Sequence, residues 1–223
     1  KRLVERSSGV FGKSGTGKSF LTRVLLAGVI SKQMAVSLIF DMHNDYGWQA
    51  TSENNQNVKG LAQLFRDRVT MITLDNESSI RRGSRPDFVV RLSYRDIQPE
   101  DIAMLKATMS LSDAMIDAAY TLRKRWGEDW IARLLKGDPD DVDDITADTS
   151  IMGGTLAALQ RRLERFERWD FMTPEPVDDS VSKIINLLVN ERKSVVLEFG
   201  RYGSALEAYI LVANYITRRI HEH

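Results

Sequence analysis

The hydrophobic pattern changes period several times along the chain. A short apolar run ending at Val10 and Phe11 breaks into GKSGTGKS at residues 12 to 19, and FLTRVLLAGVISKQM follows with apolar residues at helical spacing. Strand, glycine loop and helix are predicted in that order. AVSLIF at residues 35 to 40 is a compact β-prone run stopped by Asp41, and VTMITL at residues 69 to 74 is another, stopped by Asp75. LAQLFRDR between them fits a short helix, and DFVVRL, beyond Gly83 and Pro86, fits a fourth short strand. Strands that alternate with helices predict an α/β fold built on a mainly parallel sheet flanked by helices.

From Pro99 to about Arg192 helical spacing takes over, in DIAMLKATMSLSDAMIDAAYTLRKRWG, EDWIARLLKG, TLAALQRRLERFERW and DSVSKIINLLVNE, with no clear strand among them. Residues 99–192 therefore read as an all-helical insertion. The acidic stretch DPDDVDDITAD, residues 138 to 148, reads as a mobile surface linker between its halves. SVVLEF at residues 194 to 199 is a further buried strand, and ALEAYILVANYITRRI a final amphipathic helix. Residues 193–223 are expected to rejoin the sheet begun within residues 1–98.

A chain of 223 residues has room for one large domain, or for a domain carrying an inserted subdomain. Its 43% hydrophobic and 28% charged residues are ordinary for a globular chain. No apolar run reaches the roughly 18 residues that a membrane helix needs, so no contact with a membrane is expected. Thirty-one Lys plus Arg balance thirty-one Asp plus Glu, which removes the basic footprint of a DNA-coating monomer. Any nucleic-acid contact must come from local geometry. The absence of cysteine excludes disulfides, thiolate zinc sites and a Cys nucleophile, and two of the three His stand at the extreme end. Catalysis is left to carboxylates, Lys, Arg, hydroxyls or backbone. KRLVERSSG has no apolar core of signal-peptide length, and the expected address is the cytoplasm.

Gly12, Gly17, Lys18 and Ser19 fit G-x-x-x-x-G-K-[ST], and phosphate binding asks for each of them. The glycines let successive backbone N–H groups curl around a phosphate, Lys18 reaches the outer phosphates, the Ser19 hydroxyl ligates magnesium, and the helix dipole adds positive potential. The whole run Gly12, Lys13, Ser14, Gly15, Thr16, Gly17, Lys18 and Ser19, with Phe20 opening the helix, is the expected nucleotide-contacting segment. A nucleoside triphosphate with magnesium also requires acidic partners at neighbouring strand ends. Asp41, Asp45, Asp75 and Glu198 are the candidates. DMHNDYG, residues 41 to 47, places Asp41 at the end of a strand, with His43, Asp45 and Tyr46 on the loop that follows.

A glycine loop of this form, then a strand ending in D-x-H-x-[DE]-Y, a helical insertion, and a later strand and amphipathic helix, resembles the HerA branch of the HerA/FtsK P-loop ATPases. The resemblance implies a RecA-like P-loop NTPase fold, ATP and Mg2+ as cofactors, and a homo-hexameric ring threading double-stranded DNA. It also implies a partner, a NurA-like nuclease in DNA end processing or another effector in phage defence. Lys18, Asp41 and Asp45 then carry the catalytic roles, and Ser19 and Asp41 hold the metal. In that family the acidic strand supplying the catalytic glutamate, and an arginine finger, follow the helix corresponding to ALEAYILVANYITRRI, and a β-barrel precedes the glycine loop. The chain is accordingly expected to be a fragment of a longer ATPase core. The rival account makes SVVLEFG the magnesium-binding strand, with Glu198 as the ligand.

Arg201, just past that strand, is either a contact to phosphate or a neighbouring subunit, or a solvated loop residue. For DNA the chain offers Arg81, Arg82 and Arg85 in RRGSR, and RKRW at residues 123 to 126. Two functions from different classes follow. One is a motor that hydrolyses ATP to move DNA; the other is a nucleotide-dependent ring-assembly module that recruits an effector with little DNA-driven hydrolysis.

Overall fold

The structure, a computed structural model, describes residues 8–13, 15–51, 57–177 and 179–223. Its strands are β1 (Leu38–Asp41), β2 (Ala50–Thr51), β3 (Asn57–Val58), β4 (Val69–Thr73), β5 (Phe88–Val89), β6 (Leu92–Ser93), β7 (Met172–Thr173) and β8 (Ser194–Glu198). Its helices are α1 (Lys18–Ser31), α2 (Leu61–Leu64), α3 (Asn76–Arg81), α4 (Pro99–Met104), α5 (Lys106–Met109), α6 (Asp113–Trp126), α7 (Trp130–Lys136), α8 (Pro139–Asp148), α9 (Gly153–Leu163), α10 (Ser180–Val189) and α11 (Leu206–Glu222). They divide into two compact units. One holds the described residues up to Val90 together with Val181–Ser204; the other holds Arg91–Ser180 and Ala205–His223.

The first unit is an α/β layer structure. Its four-stranded sheet has the order β1-β8-β4-β5, with every neighbouring pair parallel. All five residues of β8 are buried, as a strand covered on both faces of a parallel sheet requires. Ile30 of α1, Leu61 and Ala62 of α2, Val69 and Met71 of β4, and Val196 of β8 form a core cluster, against which Ile39, Tyr46 and Trp48 pack. The parallel register aligns Asp41 with Glu198, and Glu198 with Thr73. Polar residues from three strands thus meet at the carboxyl edge of the sheet, the edge at which open α/β sheets bind ligands.

One expected strand is not seen among the described residues. Residues 8–13 carry no strand, Val10 is 41% and Phe11 93% exposed, and residues 1–7 lie outside the described residues. Two large apolar residues in sequence made the run look β-prone, but among the described residues no strand covers either of them.

The second unit is mostly helical, with one short parallel ladder between β6 and β7. Phe166, Trp169 and Phe171 stack in series, with ring centroids 5.2 and 5.5 Å apart, and Trp130 is fully buried beneath its own hydrogen bond to the Ile97 carbonyl at 3.2 Å. The last helix, α11, belongs here and not with the sheet: it packs on α4 and α5 through a face that includes Leu211, Val212, Tyr215 and Ile216. The cause is polar as much as apolar. Asp101 of α4, fully buried, accepts from Arg218 and Asn214 of α11, each at 2.8 Å, and a buried carboxylate needs such partners. The unit boundaries accordingly fall at 90, 180 and 204, where the pattern of the sequence put them at 98 and 192.

The acidic stretch is a helix, not a mobile linker. Asp138 caps α8 by accepting from the Asp140 N–H, Pro139 takes the first helical position, and Asp140 and Asp141 lie in the first turn where the helix dipole favours them. Ile145, within the helix, is fully buried. Arg133 of α7 makes a two-pronged ion pair with Asp141, and Arg125 of α6 bonds Asp148. Cations contributed by other helices disperse a charge run that looks self-repelling in isolation.

Candidate nucleotide site

The glycine loop leads into α1 through two left-handed residues, Gly15 and Gly17, each at φ 79°. A side chain at either would be strained, which is the physical reason for glycine there. Gly12 is also tight: a Cβ would stand 2.7 Å from the Thr16 hydroxyl. That hydroxyl donates to the Lys13 carbonyl at 2.8 Å, and Lys18 Nζ folds back onto the same carbonyl at 2.5 Å. Gly17 caps α1 without a side chain, and no acidic residue occupies the first turn. The leading N–H groups of a 14-residue helix therefore have neither a capping side chain nor an acidic residue within the first turn. Ser19 and Phe20 are exposed beside them, and Ser14 lies outside the described residues.

Asp41 organises the loop that follows β1. Its Oδ1 accepts from the Asp45 N–H at 2.8 Å, and its Oδ2 from Tyr46 and Gly47 at 2.7 and 3.1 Å. Burial pushes the Asp41 carboxyl above the ordinary carboxylate range, and the three amides act against that shift. Asp45 is half-buried and lends only its backbone: its N–H donates to Asp41, and its carbonyl accepts from Arg23 of α1. Its carboxylate accepts no hydrogen bond among the described residues. Arg23 thereby ties the helix that starts at the glycine loop to the loop that carries Asp45. The sequence did not single out Arg23; its position on α1, five residues beyond Lys18, was the available signal.

Glu198, at the end of β8, is fully buried. Its Oε2 accepts from Arg82 at 3.0 Å and from the Ser79 hydroxyl at 3.2 Å, while Oε1 has no partner among the described residues. Burial raises its pKa, Arg82 opposes the rise, and the neighbouring Asp41 charge adds to it. Asp75 is engaged twice. Oδ1 caps α3 by accepting from Ser78 at 3.1 Å, and Oδ2 accepts from the Arg201 N–H at 3.2 Å. The Arg201 guanidinium stands 3.6 Å from the same carboxylate and bonds the Tyr202 hydroxyl at 3.0 Å, so it is an anchored loop residue.

Among the described residues no three His, Asp or Glu side chains form a group that would hold a metal by themselves. Magnesium beside a nucleotide asks for less, one or two protein oxygens completed by phosphate and water. The loop fits a phosphate: positive-φ glycines, an uncapped helix start, and a lysine within reach. Ser19 supplies a hydroxyl at that start. Asp41 keeps one lone pair on Oδ1 once its three amide bonds are counted.

The arginines considered for DNA separate. Arg81 pairs with Glu77 at 2.6 Å on the surface, and Arg82 turns inward to Glu198. Arg85 lines a surface hollow with Asn76, Ile80 and Gly83. In the RKRW run, Lys124 is exposed, Arg125 is paired with Asp148, and Trp126 is buried.

A parallel sheet flanked by helices, with a glycine loop feeding a helix start, defines a protein of P-loop NTPase-like fold. Residues 1–220 match the family described as Helicase HerA, central domain, and the chain belongs to that family. No curated protein and no solved structure matches it. Among the described residues no helix is long and apolar enough to cross a membrane.

Proposed function

We propose that this chain is the ATP-binding and ATP-hydrolysing part of a HerA-like hexameric translocase acting on double-stranded DNA in the cytoplasm. The observation that carries the reading is the glycine loop with its uncapped helix, tied through Arg23 to the loop that presents Asp45. Bound ATP and Mg2+ supply the phosphoanhydride to be cleaved and the cation that neutralises charge on its phosphates. The chain supplies position and complementary charge. Lys18 would exchange the Lys13 carbonyl for phosphate oxygens, the first-turn N–H groups would hold the anion, and the Ser19 hydroxyl and the free lone pair of Asp41 would be the protein oxygens that hold the metal. Asp41 also fixes the loop, and the Asp45 carboxylate orients the attacking water. Arg81, Arg85 and Lys124 are the exposed cations offered to DNA, multiplied by six in the ring, and an effector nuclease of the NurA kind is the partner.

Titration of the protein with Mg-ATP, beside Lys18→Ala, tests the core of this reading. Affinity falls at least about tenfold in the variant while its circular dichroism stays unchanged. Equal affinity in the two proteins overturns the assignment.

A further inference from the structure

The residues facing Glu198 form a chain of contacts from α3 to the loop that carries Asp45. Arg82, just past α3, holds Oε2 at 3.0 Å, and Ser79 of α3 holds the same oxygen. On the other side lies Gly47: a Cβ there would stand 3.0 Å from Oε1, and that oxygen has no hydrogen-bond partner among the described residues. Gly47 is one of the three amides gathered by Asp41, and Asp41 is the register partner of Glu198 across β1 and β8. A buried carboxylate with one unpartnered oxygen depends on the donors it has, and among the described residues Arg82 is the one cation bonded to it.

We propose that Arg82 is a positioning residue, which acts through Glu198 to hold the 41–47 loop, and with it Asp45, in place for nucleotide hydrolysis. This rests on the proposed role of that loop, but the position of the loop is measurable without nucleotide. When Arg82 is removed, the Glu198 carboxylate keeps only the Ser79 hydroxyl among the described residues, and it turns or draws in water to replace the lost cation. Either movement shifts Oε1 beside Gly47, where even a Cβ would be crowded. The β1–β8 ladder is made of backbone bonds and stays.

The test is a double-mutant cycle of Arg82→Gln and Glu198→Gln, read first by amide hydrogen exchange at residues 45 to 47 in nucleotide-free protein. Arg82→Gln alone accelerates exchange there by about tenfold, and leaves α6 and α9 unchanged. In the Glu198→Gln background the same change costs less than about twofold, because a neutral amide no longer depends on the guanidinium. Equal acceleration in both backgrounds, or none in either, overturns the proposal. Should Arg82→Gln fold poorly by itself, the Glu198→Gln background restores it; a defect that persists there also overturns it. ATP turnover is the second readout: Arg82→Gln lowers kcat with KM within about twofold, and an unchanged kcat overturns the catalytic part. Lys18→Ala keeps the two readings apart. If it leaves turnover unaffected while the exchange cycle holds, the ATP assignment fails and the Arg82–Glu198 latch stands.

Discussion

Asp41→Asn exchanges one carboxylate oxygen at the end of β1 for an NH2 group. Oδ2 serves Tyr46 and Gly47, and Oδ1 serves Asp45. The best placement of the amide keeps its oxygen on Tyr46 and Gly47, which turns the NH2 group against the Asp45 N–H, donor facing donor. One charge-assisted hydrogen bond is lost, worth about 1.5–3 kcal/mol, and the two that remain weaken toward neutral strength, about 1 kcal/mol each. Removing a buried charge offsets part of this, since burial already works against the ionised form of Asp41. The net expected loss is about 2 kcal/mol, or roughly thirtyfold in the opening of the loop. Native-state hydrogen exchange at residues 45 to 47 reads that opening directly, and the urea midpoint of the sheet unit falls by about 1 M. A change smaller than about 0.5 kcal/mol would refute the reasoning, because the loop would then be held by something other than the Asp41 carboxylate.

Three further outcomes are expected. Asp45→Asn lowers turnover more than ATP affinity, since its carboxylate accepts no hydrogen bond among the described residues; loss of binding instead makes Asp45 structural. Asp101→Ala leaves Arg218 without its buried partner and costs about 3–5 kcal/mol in chemical denaturation, with α11 released first; a cost under about 1 kcal/mol contradicts the role given to that ion pair. The Arg133 hydrogen bond holds Asp141 below the ordinary Asp range, so its contribution to the docking of α8 is present above that range and is lost as pH falls through and below it. Far-UV circular dichroism should show helix loss near or below about pH 4 that Asp141→Asn abolishes, and an unchanged acid transition in the variant counts against it.

Much of the sheet unit was legible because its signals are local. The runs at residues 35 to 40, 69 to 74 and 194 to 199 became β1, β4 and β8, and each places a carboxylate, Asp41, Asp75 or Glu198, at or just beyond its end. The glycine loop was legible because each position answers a backbone or phosphate requirement. What escaped depends on contacts distant in sequence. The apolar face of α11 reads the same whether it meets a sheet or other helices, and Asp101 with Arg218, 117 residues apart, decides between them. The acidic stretch looked repulsive because Arg125 and Arg133 lie on other elements. Arg82 sits in a run of arginines that reads as a surface face, and only the fold brings Glu198 within 3.0 Å of it. Val10 and Phe11 erred the other way, an apolar pair that is exposed and lies in no strand among the described residues.

The central claim, a DNA-driven ATPase, is tested most directly by ATP turnover with and without linear double-stranded DNA, at low and moderate salt, beside Lys18→Ala. The expected result is turnover stimulated by DNA, a stimulation that fades as salt rises in proportion to the phosphates neutralised, and no turnover in the variant. Turnover indifferent to DNA, with nucleotide still bound, would contradict the motor and leave a nucleotide-dependent assembly module in its place.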